Sequence, residues 1–138
     1  MLDEASQLRP GMKSLDRIVI LNLALVLAHQ VDAAYWHEWE MFRVPGGIQA
    51  FAALNVLIFL FLLSSLVPIV QRRPSGFRCS LLIAAACASV FPIHAGFALA
   101  GFPQFHLPFS IFPIAATFLV SLLQAVLTLR MRVDFGDA

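Results

Sequence analysis

The chain has 138 residues, of which 60% are hydrophobic and only 12% are charged. Soluble domains carry about 25% charged residues, so the composition excludes an ordinary soluble protein and indicates a membrane protein. The net charge of +1 and the lack of any basic run argue against a nucleic-acid partner. At this length we predict a single membrane domain that covers residues 1–138.

Four apolar segments account for most of the chain, at residues 18–36, 48–70, 79–101 and 109–129. Each is close to the ~20 residues that a helix needs to cross a bilayer. Only helices and closed barrels satisfy their backbone in lipid, and the alternation expected of barrel strands is absent. The connections are short, so consecutive helices should be antiparallel neighbours. We therefore predict an all-α, integral-membrane, up-down four-helix bundle.

The first apolar segment also has the features of a secretory signal peptide. A basic start, an apolar run and small residues around position 33 fit a cleavage site. The region before the run is long, however, and carries Asp3, Glu4 and Asp16. We therefore expect this segment to remain as the first membrane helix.

The basic residues predict the orientation of the bundle. Arg43 alone falls at one end, whereas eight basic residues fall at the other: Arg9, Lys13, Arg17, Arg72, Arg73, Arg78, Arg130 and Arg132. Positively charged residues are retained on the cytoplasmic side when the loops are short. Both termini are therefore predicted to be cytoplasmic.

Polar residues recur every seven positions in three of the four segments, which places them on one seam of a left-handed bundle. The helical rise puts His29 and His94 at the same depth, about 10 Å below the outer ends of their helices. Six further polar residues of the segments, some of them on these seams, are predicted to hold the helices together through hydrogen bonds: Asn22, Asn55, Ser80, Thr117, Ser121 and Gln124.

Ionisable residues at membrane depth indicate function, because burying them is costly. A zinc-type site needs three or four histidine, cysteine or carboxylate ligands, and the candidates are His29, Asp32 and His94, with His106 a weaker one. Asp32 is three residues beyond His29 on one helix, so it is also predicted to orient that imidazole.

The candidate catalytic groups lie in or just after the first segment: Asp32, His37, Glu38 and Glu40. If the helix continues, Glu40 falls near the face of His29. His37 and Glu38 then point elsewhere, and we expect them at the membrane surface.

These residues leave several functions open. One is a membrane enzyme or metal-binding protein with a divalent transition metal, and a less favoured one is a haem protein with His29 and His94 as axial ligands. Another is a non-enzymatic accessory or structural subunit whose polar layer only locks helix packing. No phosphate-binding loop or nucleophile motif is present, so no nucleotide is expected. The predicted partners are the lipid bilayer and either a second copy of the chain or another membrane subunit.

The sequence AHQVDAAYWHEWEMF at residues 28–42, followed by PGGIQ at residues 45–49, resembles an uncharacterised family of small bacterial inner-membrane proteins. Members are four-helix proteins with an H-x-x-D…H-E-W signature, and residues 102–124 resemble their last helix. The resemblance covers most of the chain from Asn22 onward. It implies a bundle in the bacterial inner membrane and no particular activity, and it points to four residues: His29, Asp32, His37 and Glu38.

Overall fold

The computed structural model describes residues 10–136, which are helical and contain no strand. The helices are α1 (Pro10–Tyr35), α2 (Glu38–Met41), α3 (Gly47–Ser64), α4 (Leu66–Val70), α5 (Pro74–Leu99) and α6 (Pro108–Arg130), followed by a 3-10 turn at Arg132–Asp134. Asp3, Glu4 and Arg9, which entered the signal-peptide and orientation arguments, lie outside the described residues.

The four predicted apolar helices are confirmed. Four helical stretches are long and apolar enough to cross a membrane: Lys13–Tyr35, Gly47–Val70, Pro74–Leu99 and Pro108–Arg130. Helices α5 and α6 each have proline in the first turn, where its missing N–H and fixed φ are compatible with a helix start. This is why α5 begins five residues before the apolar segment that predicted it.

The second of these stretches is divided at Ser65 into α3 and α4. Pro68 has no N–H to donate to the carbonyl of Ser64, and its ring crowds that carbonyl. The Oγ of Ser65 donates a hydrogen bond to the Phe61 carbonyl at 2.8 Å, one turn back. The break therefore follows from the proline.

Helices α1, α5 and α6 form the core. The second membrane-length stretch, α3 and α4, packs closely against this core through α4 and loosely through α3. Helix α4 approaches α5 closely at Gly76, where an added Cβ would collide with the Pro68 carbonyl. Along α3, by contrast, only Phe51 and Leu62 are buried. The bundle is thus a tight three-helix core with a fourth helix that is anchored at one end and loosely packed at the other.

The seven-residue seams point inward, as predicted. The buried members are Asn22, His29, Ser80, Cys87, His94, Ser110, Thr117 and Gln124. At the outer end of its seam, Gly101 is exposed.

A hydrogen-bond network joins the three core helices in the half of the bundle that holds most of the basic residues. The Nδ2 of Asn22 donates to Ser121 Oγ and to Gln124 Oε1, both at 2.9 Å. The Nε2 of Gln124 donates to the Ser80 carbonyl at 2.9 Å. Ser80 and Thr128 share a 2.7 Å hydroxyl contact, and Thr128 donates to the Gln124 carbonyl. The predicted role in helix packing is confirmed for these polar residues.

Two residues of the predicted polar layer behave differently. The Nδ2 of Asn55 donates to the Phe51 carbonyl of its own helix, so Asn55 does not join α3 to another helix through this bond. Thr117 is fully buried, but its Oγ1 has no hydrogen-bond partner among the described residues.

The same end of the bundle is also fixed by Arg72, which is 6% exposed. Its Nη2 lies 2.9 Å from Asp16 Oδ1, its Nη1 donates to the Ile69 carbonyl, and its guanidinium lies over the Phe135 ring at 5.5 Å. This predicted loop arginine therefore ties the α4–α5 turn to α1.

We expect Gln124→Leu to lower the free energy of unfolding by about 1–3 kcal/mol, because a leucine of similar size keeps the volume but leaves Asn22 and Ser80 with fewer partners. Asn55→Leu is the matched control and should change stability little. Thermal unfolding in one detergent measures both variants. Equal melting temperatures for the two would contradict the assigned role of the network.

Candidate metal centre

Three buried ionisable side chains meet in the half of the bundle opposite the network. His29 comes from α1, Glu38 from α2 and His94 from α5, and each offers a ligand atom within 4.8 Å of the other two. Their exposed fractions are 1%, 5% and 8%. Charged or chargeable groups are this deeply buried only when they are paired or bind an ion.

The two histidines are brought together by the heptad seams of α1 and α5. Their ring centroids lie 4.7 Å apart and the rings are nearly perpendicular, at 85°. The prediction that His29 and His94 share one layer is therefore confirmed.

Glu38 reaches the histidines because the first helix does not continue. It ends at Tyr35, and His37 adopts a left-handed conformation with φ of 54°. The His37 carbonyl then accepts a 2.8 Å bond from the Glu40 N–H, which starts α2 in a new direction. The expectation that Glu38 lies at the membrane surface was wrong, because it assumed a continuous helix.

The hydrogen bonds of His94 determine which of its nitrogens can bind an ion. Nδ1 lies 2.8 Å from the Val90 carbonyl. A carbonyl only accepts, so Nδ1 carries the proton and Nε2 of the neutral ring has a free lone pair. A backbone carbonyl on the distal nitrogen is the usual way in which a metal-binding histidine is held in place.

Nε2 of His94 lies 3.2 Å from Glu38 Oε1. The two atoms are close enough for an ion pair but are not aligned for a hydrogen bond, and Nε2 has no other hydrogen-bond partner among the described residues. A lone pair and a carboxylate oxygen repel each other at this distance unless a positive charge lies beside them. The geometry thus calls for a cation, either a proton or a metal ion.

His29 adds a second unsatisfied nitrogen to the cluster. Its Nδ1 is buried and has no hydrogen-bond partner in the described part of the chain. Most buried polar side-chain atoms have a partner, so an orphaned one indicates a ligand or ion that completes the site.

Phe105 closes the cluster at its outer end. This residue of the α5–α6 loop is buried, and its ring centroid lies 4.5 Å from that of His94 and 5.7 Å from that of His29. Its φ of 61° is a strained conformation for a non-glycine residue. This strained backbone places the Phe105 ring against both imidazoles, where it shields them on the side of the α5–α6 loop.

Asp32, predicted as a ligand and as the residue that orients His29, is directed toward α6. Its Oδ1 accepts a 3.0 Å hydrogen bond from Ser110 Oγ, which in turn accepts one from Trp36 Nε1, also at 3.0 Å. Its Oδ2 has no hydrogen-bond partner within residues 10–136. Asp32 therefore ties α1 to α6 beside the cluster, and it is not one of the three clustered residues.

The other candidates from the sequence lie on the surface of the same end. His37 and Glu40 are exposed, and their side chains approach each other to 3.9 Å. His106 is exposed, its Nδ1 lies 2.7 Å from the Pro103 carbonyl, and its ring packs against Trp36. The structure does not bring these three into the cluster.

The donor set fits a transition metal, provided that the cluster contracts. Imidazole nitrogens and carboxylate oxygens bind zinc at about 2.0–2.2 Å, so two ligands of one tetrahedral ion lie about 3.4 Å apart. The widest separation of 4.8 Å must therefore shorten by roughly 1.4 Å. Two histidines and one carboxylate leave a fourth position open, as in catalytic rather than structural zinc sites.

Comparison with known proteins places the chain in a family but assigns it no activity. No curated protein and no solved structure matches it. One family does match, over residues 15–131, and this region contains all three clustered residues and helices α2 to α6 entirely. The predicted resemblance to an uncharacterised family is confirmed. The chain belongs to the family of unknown function DUF6713.

Proposed function

We propose that this protein is a multi-pass bacterial inner-membrane protein that binds one divalent transition metal at His29, Glu38 and His94. The observation that carries the proposal is the orphaned Nε2 of His94, which faces a buried carboxylate beside a second unpartnered imidazole. When bound, the metal would supply Lewis-acid chemistry at its open position. The three side chains would hold it, and Phe105 would exclude water from the loop side.

The surface of the helices supports insertion into lipid. Large apolar side chains are highly exposed on each long helix, for example Val31 at 74%, Leu57 at 66%, Leu99 at 90% and Leu119 at 65%. Such a continuous apolar surface is costly in water and is favourable in a bilayer. With the basic end in the cytoplasm, the metal centre lies in the outer half of the membrane.

The ligands favour a metal of borderline hardness. Imidazole suits zinc, copper, iron and nickel, whereas an all-oxygen set would be needed for magnesium or calcium. The single carboxylate and the two histidines favour zinc or iron(II).

The geometry does not support the haem alternative. The two imidazole centroids are only 4.7 Å apart and the rings meet edge to face. A porphyrin needs an axial nitrogen about 2 Å from the iron on each face, which would place the rings farther apart and leave a wide flat space between them. Phe105 already contacts both imidazoles.

A second candidate function is that of a non-enzymatic subunit in which a proton takes the place of the metal. The 3.2 Å separation of Glu38 Oε1 and His94 Nε2 favours it, because a protonated histidine would form a buried ion pair there. This pair would lock α2 onto α5 and keep Phe105 in place.

Metal analysis of the purified protein distinguishes the two functions. We expect one bound metal per chain in the wild type, and its loss in His29→Ala, His94→Ala and Glu38→Gln, since each removes one of only three ligands. Acidification should release the metal, because the ligands bind only when they are deprotonated. His106→Ala is the control and should retain it.

Metal that stays bound in the His29→Ala/His94→Ala double variant would contradict the proposed centre. The proton-bound subunit would instead be supported if the wild type holds no metal and the Glu38→Gln and His94→Ala variants melt at lower temperatures than the wild type.

The orientation is tested by labelling single cysteines with a membrane-impermeant maleimide. In a Cys79→Ser/Cys87→Ser background, Phe102→Cys in the α5–α6 loop should react in cells whose outer membrane alone is permeable. Ser75→Cys at the start of α5 should react only after the inner membrane is broken. The reverse pattern would contradict the proposed cytoplasmic location of the termini.

A further inference from the structure

The loosely packed helix α3 leaves an apolar cleft that ends at the metal centre. The first cavity, of about 380 Å³, lies between α1, α3 and α5, and its walls include His29, Glu38 and His94. A second cavity, about 490 Å³, shares Gln30, Ile58 and Val90 with the first and continues toward Leu62 and Cys87. Because they share walls, the two cavities adjoin along α3, and together they are termed the cleft.

The cleft has the dimensions of a site for an extended apolar chain. It follows α3 from Phe51 to Leu62, which is about 16 Å at the helical rise. Apart from its polar end, its walls are mainly aliphatic and aromatic. Apolar cavities of this kind are not stably filled by water, and in a bilayer the matching filler is an apolar chain.

Two further polar side chains of the cleft have unsatisfied acceptors. The Oδ1 of Asn55 and the Oε1 of Gln30 are buried without a hydrogen-bond partner among the described residues, as is Nδ1 of His29. Asn55 uses its Nδ2 on its own helix, which leaves only its acceptor for a ligand. A head group that donates hydrogen bonds would satisfy these atoms.

The side chains of the cleft, taken without the proposed metal, disfavour an anionic head group. No lysine or arginine lines either cavity in the part of the chain that the structure describes, and Glu38 adds a carboxylate at the polar end. A phosphate or a fatty-acid carboxylate would find no cationic side chain there. A neutral hydroxyl group can both donate to the free acceptors and bind a metal through its oxygen.

We infer that the cleft binds a long-chain amphiphile with a neutral, hydroxyl-bearing head. The chain lies along α3 and the head lies against His29, Glu38 and His94. The molecule enters sideways from the membrane, because Phe105 closes the site on the loop side. This inference deepens the proposed function, since the head occupies the same centre, but the cleft and the acceptors of Asn55 and Gln30 are independent of the metal.

Photolabelling with a hexadecanol that carries a diazirine and an alkyne tests the inference on the full chain in detergent. We expect the label on residues of the cleft. Ile58→Trp, which adds bulk at a residue that lines both cavities, should reduce labelling at least roughly tenfold, the cost of displacing two buried methylene groups. Leu60→Trp adds the same bulk to an exposed position of the same helix that lines neither cavity, and should leave labelling unchanged.

A second comparison tests the head group, using protein from which a chelator has removed any metal. In this protein the hexadecanol probe should label the cleft more strongly than the matching hexadecanoic acid probe, because the acid places an anion beside Glu38. Equal or stronger labelling by the acid would overturn the neutral head. Equal labelling of Ile58→Trp and Leu60→Trp would overturn the cleft as the binding site.

Metal analysis of the same samples separates this inference from the proposed function. Ile58→Trp touches none of the three ligands, so its metal content should equal that of the wild type. If no sample holds metal while cleft labelling is still lost in Ile58→Trp, the metal centre fails and the amphiphile site stands.

Discussion

The structure depends on one constraint, which is that polar atoms away from water must find partners inside the protein. One layer in the basic half of the bundle meets the constraint, because Asn22, Gln124 and Ser80 join three helices through hydrogen bonds. The His29–Glu38–His94 cluster in the other half does not meet it, because His94 Nε2 and His29 Nδ1 have no hydrogen-bond partner among the described residues. The same physical rule therefore assigns the first layer to helix packing and makes the second the candidate site for an ion or a ligand.

The sequence predicted the part of the site that depends on helical periodicity. His29 and His94 belong to seven-residue seams, and equal depth on two antiparallel helices was enough to bring them together. Glu38 could not be predicted in this way, because it lies nine residues after His29, which on a continuous helix is the opposite face. Its position depends on the left-handed conformation of His37. Non-glycine residues adopt that conformation rarely, and nothing in the local sequence requires it.

Two other features were not predicted, for different reasons. The spacing of Asp32 placed it within reach of His29 on the same helix, but Ser110 of α6 offers it a hydroxyl donor, and this competition exists only in three dimensions. The peripheral position of the second stretch, by contrast, has a signal in the sequence, because this stretch is the most apolar of the four and has no seven-residue polar seam. The collision that any side chain at Gly76 would have with the Pro68 carbonyl shows how α4 is held against α5. Gly47, the glycine at the start of α3, makes no comparable approach, because a Cβ added there would lie 3.8 Å from Trp39 Nε1.

The uneven packing of the second stretch connects the fold to the chemistry. A metal centre that opened toward the loops would exchange ligands with water, but Phe105 covers that side at the cost of a strained backbone. The proposed centre instead adjoins an apolar cleft beside α3, where few side chains are buried. A low dielectric around its ligands would strengthen their interaction with a cation. In the proposed function, reactants would reach the centre from the membrane through this cleft, and the loose packing of α3 would be a condition for their access.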